Sequence, residues 1–127
     1  MEKRIEGTNK TPEFNFNFSR GELSLRGISI PENPGLFYAE IYASIDDYLK
    51  NPAKNTVINF DLEYFNSSSA IAIRDVIRKF EEHNVANNCV VKWYHDEDDQ
   101  GIESSGHEFK SIFPGLNFEI IGLDRSE

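Results

Sequence analysis

Asn66-Ser67-Ser68-Ser69 is the stretch of this 127-residue chain where residue type and position most directly suggest chemistry. Three hydroxyls follow one carboxamide. A short side-chain oxygen at the start of a helix can accept from the free backbone N–H groups there, which is the commoner role of such residues. A serine hydroxyl can also take a phosphoryl group. A phosphate at a helix N-terminus meets unsatisfied N–H donors and the positive end of the helix dipole. The two roles are compatible, because one hydroxyl can cap the helix while its neighbour faces solvent.

The elements on either side fix where these hydroxyls stand. Val57, Ile58, Phe60 and Leu62 make a β-prone run, and residues 56–62 are expected to form a central strand covered on both faces. Ile73, Val76, Ile77 and Phe80 follow at i, i+3, i+4, i+7, one face of a helix over roughly 68–85. Asn84, Asn87 and Asn88 mark its exit. The stretch Leu62–Ala70 is thus a turn from strand to helix, and strand ends are where α/β sheets tend to present their sites.

The remaining elements follow from similar patterns. Residues 1–12 are charged and polar and read as a loose N-terminal arm. Phe14, Phe16 and Phe18 alternate with asparagines, and Leu23 and Leu25 alternate again after the Ser19–Glu22 turn, as in an antiparallel hairpin. Residues 27–34 read as a loop. Asn33 suits an N-cap, and Pro34 suits the first position of a helix over 34–50. Its inner face is marked by Phe37, Ile41, Ile45 and Tyr48. A strand over 89–94 and an acidic turn over 95–101 come next. A helix over 102–113 carries Phe109, Ile112 and Phe113 inward, and a last strand holds Phe118, Ile120 and Ile121. Residues 124–127 are a tail. The order is β-β-α-β-α-β-α-β: one α/β domain over 1–127, a mixed sheet with an N-terminal hairpin and helices packed on it.

Other chemistry is weakly supported. Asp96-Glu97-Asp98-Asp99-Gln100-Gly101 begins like an EF-hand loop, but Gln100 stands at position five and His107 where a bidentate Glu is needed. His83, His95 and His107 lack close metal-ligand spacing. No Gly-x-Ser-x-Gly, Gly-x-Gly-x-x-Gly or Walker pattern occurs. No catalytic residues, metal site or cofactor are assigned. Two alternatives stay open: a small-molecule or metal-binding domain using the strand ends and His95–Asp99, and a hydrolase using one serine of the triplet.

The formal net charge is −9, which disfavours a nucleic-acid backbone or an anionic membrane as main partner. No segment reaches the ~18 consecutive apolar residues of a membrane span. Residues 1–6 lack the apolar core of a signal peptide, and Cys89 is the single cysteine, so a cytoplasmic protein is expected.

A hydroxyl cluster joining a central strand to a helix in a small acidic α/β domain resembles the anti-sigma-factor antagonists of the STAS superfamily. Their turn is Asp-Ser-Ser/Thr-Gly; here Asn66 replaces the Asp and no glycine follows. A closer resemblance is to the SiaC family of bacterial regulatory phosphoproteins. The matching stretches are Gly7-Thr8 with Thr11-Pro12, Gly21–Gly27, Ser29–Asn33, Leu62–Ser69, Val91–Tyr94 with its acidic sequel, and Gly106–Phe109. The resemblance implies a non-enzymatic switch, phosphorylated by a partner kinase at the hydroxyl after the Asn and reversed by a PP2C-type phosphatase. The unmodified form would bind an effector, in characterised members a diguanylate cyclase acting in c-di-GMP and biofilm signalling. By position the acceptor is Ser67, with Ser68 as fallback. The partner surface is expected around Asn66, Ser67, Ser68 and Ser69, with Pro31, Glu32 and Asn33 as a second part.

Overall fold

The protein, described by a computed structural model over residues 1–83 and 88–125, is built on one mixed sheet. Its strands are β1 (Glu2–Ile5), β2 (Glu13–Asn17), β3 (Glu22–Ser29), β4 (Asn55–Phe65), β5 (Asn88–Asp96) and β6 (Asn117–Leu123). Between the later strands lie α1 (Pro34–Leu49), α2 (Ser67–Glu82) and α3 (Gln100–Ile112). The sheet runs in sequence order from β1 to β6; the first two pairings are antiparallel and the rest parallel.

That order decides where the helices go. Each crossover from β3 onward steps to the next strand in the same direction. Right-handed crossovers that all step one way must place their helices on one face. The expected cover on both faces of the central strand is therefore corrected. The covered face carries two apolar rows: Phe16, Leu23, Ile58, Val91 and Phe118, and beside them Phe14, Leu25, Phe60, Trp93 and Ile120. The opposite face carries Asn15, Ser24, Asn59, Lys92 and Glu119 across the same register. Strand alternation thus separates core from solvent across these rows.

Residues 1–12 are not a loose arm. Glu2–Ile5 pairs with β2 through backbone hydrogen bonds that need no apolar side chains, which adds one strand to the expected order. The following loop is held as well. Thr8 Oγ1 accepts from the Lys10 and Thr11 amides, and the Lys10 carbonyl accepts from the Ile30 amide at 2.7 Å. The loop expected from Gly27 begins later, because β3 continues to Ser29 past a register shift at Gly27, whose φ is +108°.

Helix α1 buries Tyr38, Ile41, Ile45 and Tyr48. Tyr38 thus takes the innermost place expected for Phe37, which is only partly buried. Helix α2 buries the expected Ile73, Val76, Ile77 and Phe80. Its expected last residue, Val85, and the exit residues Asn84 and Asn87 lie outside the described residues. Asn88 opens β5. Helix α3 buries Ile102, Gly106 and Phe109, and Phe113 follows on the same stripe. Ile112, expected inside, falls off that stripe and is exposed.

Burial also makes three groups weaker acids. Tyr42 is pushed up to about 12 by burial, then by Asp75 and Tyr38; burial likewise raises Tyr38 and takes the Cys89 thiol to about 12. The folded chain keeps these protons after the unfolded chain has lost them. Their contribution to stability is therefore complete below the ordinary values of 9.0 for the thiol and 10.0 for the phenols, and is lost as pH rises toward about 12. The thermal midpoint is expected to fall steadily above about pH 9. In a phenolate absorbance titration Tyr38 should ionise above 10.0 and Tyr42 near 12; a titration with no phenol ionising near 12 would contradict this.

Candidate functional site: a serine-bearing helix start

Strand β4 ends at Phe65 and α2 begins at Ser67, so Asn66 alone makes the connection. Its backbone is extended, with φ −90° and ψ 179°, and its side chain accepts from the Ser69 amide at 2.9 Å. Its carbonyl accepts from the Ala70 amide at 2.9 Å, the first bond of the helix. The amides of Ser67 and Ser68 precede that bond and have no acceptor within the helix. Two N–H groups are thus available beside two exposed hydroxyls.

The three serines divide into two kinds. Ser67 and Ser68 face outward. Ser69 is 0 % exposed, and its hydroxyl donates to the Ser29 carbonyl at 2.8 Å. Ser69 Oγ also lies 2.7 Å from Ser29 Oγ, which is 2.7 Å from the Tyr38 hydroxyl. The Ser29 carbonyl accepts a second bond from the Asn66 amide at 3.2 Å. Neither Ser29 nor Tyr38 was singled out from the sequence. The available signal was the spacing of Tyr38, Ile41, Ile45 and Tyr48 on one helical face.

The second expected segment lies beside the first. Ser29 pairs in register with Phe65, so β3 and β4 end together, and Pro31–Asn33 leaves the sheet next to Asn66. Asn33 caps α1 by accepting from the Leu36 amide at 3.0 Å, with Pro34 at the first helical position. Glu32 is exposed and pairs with Lys10 at 3.3 Å. Pro31 is buried, like Ser69, so both support the surface from beneath. The outward members are Glu32, Asn33, Ser67 and Ser68, with Asn66 half-buried between them. Leu36, Tyr64 and Ile71 are exposed large hydrophobic residues at the same end of the sheet.

The acidic segment does not assemble around His95. Strand alternation sends His95 to the helix-covered side, where it is buried with Nδ1 2.8 Å from the Asp96 carbonyl. Asp96 points to the open face, where Arg125 bonds it at 2.6 Å and bonds Asp61 at 3.1 and 3.2 Å. The expected tail is thus tied down at Arg125. These groups line a shallow cleft of about 430 Å³ with Glu13, Arg26 and Glu63. Asp99 is the N-cap of α3 and accepts from the Ile102 amide at 3.1 Å. Among the described residues no group of three or more His, Cys, Asp or Glu side chains is arranged to hold a metal ion. His83 and His107 are engaged on their own helices, by the Lys79 carbonyl and Glu103. No histidine bonds a serine of the triplet among the described residues.

Fold and turn together define a class: a small α/β domain, helices on one face, that presents hydroxyls at a helix start. Within that class, the model of the SiaC family of regulatory phosphoproteins matches residues 5–123. The chain belongs to that family, as its resemblance implied. An uncharacterised protein of Pseudomonas aeruginosa (strain UCBPP-PA14) is 26% identical over 107 residues, 84% of this chain and 85% of that protein. The crystal structure of apo-SiaC from Pseudomonas aeruginosa superposes with a TM-score of 0.86 at 23% identity, covering 96% of this chain and 99% of that one. SiaC in the crystal structure of the diguanylate cyclase SiaD in complex with its activator SiaC, also from Pseudomonas aeruginosa, gives 0.88 at 24% identity, covering 95% and 99%. Among the described residues no helix is long and apolar enough to cross a membrane.

Proposed function

We propose that this protein is a non-enzymatic cytoplasmic regulator that binds an effector through the surface around Asn66–Ser68 and Glu32–Asn33, and that phosphorylation of Ser67 ends this binding. Ser68 is the fallback acceptor. A protein kinase adds the phosphate and a PP2C-type phosphatase removes it. The effector is a diguanylate cyclase, which the unmodified form activates. Membership of a regulatory phosphoprotein family supports this reading, and so does the SiaD–SiaC complex of the relative.

The observation that carries it is the split within the triplet. Ser69 is consumed by internal hydrogen bonds, while Ser67 and Ser68 stand exposed at the first two positions of α2. A phosphate there adds roughly −1.5 to −2 charges. The free protein accommodates it, because the amides of the first turn and the helix dipole favour an anion. An interface that must be desolvated around Leu36, Tyr64 and Ile71 does not.

The test uses a diguanylate cyclase purified from the same organism, with this protein added unmodified or carrying encoded phosphoserine at position 67. The unmodified form is expected to bind the cyclase and raise its rate of cyclic dinucleotide synthesis, and the phosphoserine form to do neither. Equal binding and activation by the two forms would refute the switch.

A further inference from the structure

The proton positions in the buried hydroxyl cluster follow from counting. The Ser29 carbonyl can only accept, so the Ser69 hydroxyl proton lies on that 2.8 Å bond. The 2.7 Å contact between Ser69 Oγ and Ser29 Oγ must then use the Ser29 proton. With that proton spent, the 2.7 Å contact between Ser29 Oγ and Tyr38 must use the phenolic proton. The chain runs one way: Tyr38 O–H to Ser29 Oγ, Ser29 O–H to Ser69 Oγ, Ser69 O–H to the Ser29 carbonyl. That carbonyl also takes the Asn66 amide. One residue at the end of β3 thereby anchors α1, the cap of α2 and the third residue of α2.

Resting on the proposed phosphorylation of this turn, we infer that the Tyr38–Ser29–Ser69 chain selects the acceptor: Ser29 and Tyr38 are positioning residues that hold Ser69 inward and keep Ser67 presented to the kinase. In the transfer step the Ser67 oxygen attacks the terminal phosphorus of a nucleoside triphosphate brought by the kinase. The O–P bond forms, the bridging phosphoanhydride bond breaks, the nucleoside diphosphate leaves, and the serine proton passes to a base of the kinase. Ser69 reaches such a partner only when the first turn of α2 frays. Each buried bond on Ser69 makes that opening rarer.

The experiment is site-resolved phosphopeptide mapping of the full chain produced in its own cells, as wild type and as the double variant Ser29→Ala/Tyr38→Phe. The double variant removes both hydroxyls of the Ser29–Tyr38 pair, so no buried donor is stranded there, and it leaves Ser69 with one bond where it had two. Wild type is expected to carry its phosphate on Ser67, or on Ser68, with little on Ser69. In the double variant the ratio of Ser69 to Ser67 phosphate is expected to rise up to about tenfold. A merely structural role would lower the thermal midpoint and leave that ratio alone. If the double variant does not accumulate as folded protein, Tyr38→Phe alone is mapped, with a rise of about twofold expected. An unchanged ratio in a folded variant overturns the inference while the phosphorylation reading stands. Absence of phosphate from the triplet in wild type and variants alike overturns both.

Discussion

Gly106→Ala is expected to lower stability by about 2 kcal/mol, the net of two opposed effects. Gly106 lies in the middle of α3, directly over the Trp93 indole of β5. An added Cβ would sit 2.8 Å from Nε1 and 2.9 Å from Cγ of that ring. The ring has nowhere to go. It is 0 % exposed, its Nε1 donates to the Ile102 carbonyl at 2.8 Å, and the rings of Phe60, Phe109 and Phe65 stand 5.4, 5.3 and 6.0 Å away. Two effects oppose each other here. Alanine is better than glycine in a helix interior by about 1 kcal/mol. Overpacking a closed aromatic cluster costs about 1–3 kcal/mol and occasionally more, and the rigid ring puts this site at the upper end. Overpacking therefore wins. Phe65 immediately precedes Asn66, so movement of the indole would also disturb the turn. Denaturant unfolding reads the effect; a variant as stable as wild type would show that α3 can shift away from β5.

The second large effect is expected on binding. Ser67→Asp should weaken effector binding at least about tenfold, or about 1.4 kcal/mol, while changing stability by less than about 1 kcal/mol. The two halves have one cause. In the free protein the carboxylate sits in water at the first turn of α2, where the helix dipole slightly favours it. In the proposed complex it would be desolvated among the exposed Leu36, Tyr64 and Ile71, where an unpaired charge costs several kcal/mol. Ser67→Ala adds no charge and should bind like wild type. Equal affinities for the Asp and Ala variants, measured by calorimetry with the purified cyclase, would count against an interface at this turn.

How much of this was legible depended on the range of the interactions. The inner face of α2 and the cap at Asn66 are local, and both follow from spacing and side-chain type. The hairpin follows from alternation in Phe14–Phe18 and Leu23–Leu25. Strand β1 was hidden because Glu2, Lys3 and Arg4 have no apolar alternation and pair through their backbone. The open face of the sheet was hidden because Val57 and Ile58 are adjacent apolar residues, which looks like cover on both sides. Only the sequential strand order shows that the helices share one side. The support beneath the turn was the least legible part. Ser29 and Ser69 are 40 positions apart. No local pattern encodes a hydroxyl chain of that kind; it exists only once β3, α1 and α2 are in register.

The central claim is that the exposed hydroxyl after Asn66 is a reversible phosphoryl acceptor. It is tested most directly by mass spectrometry of the protein isolated from its own cells under several growth conditions, with the peptide spanning Asn66–Ser69 resolved site by site. The account predicts partial phosphorylation at Ser67 that changes with condition and rises when phosphatases are inhibited. A fully covered peptide without phosphate under every condition, phosphatase inhibition included, would contradict it and leave the triplet as a helix cap.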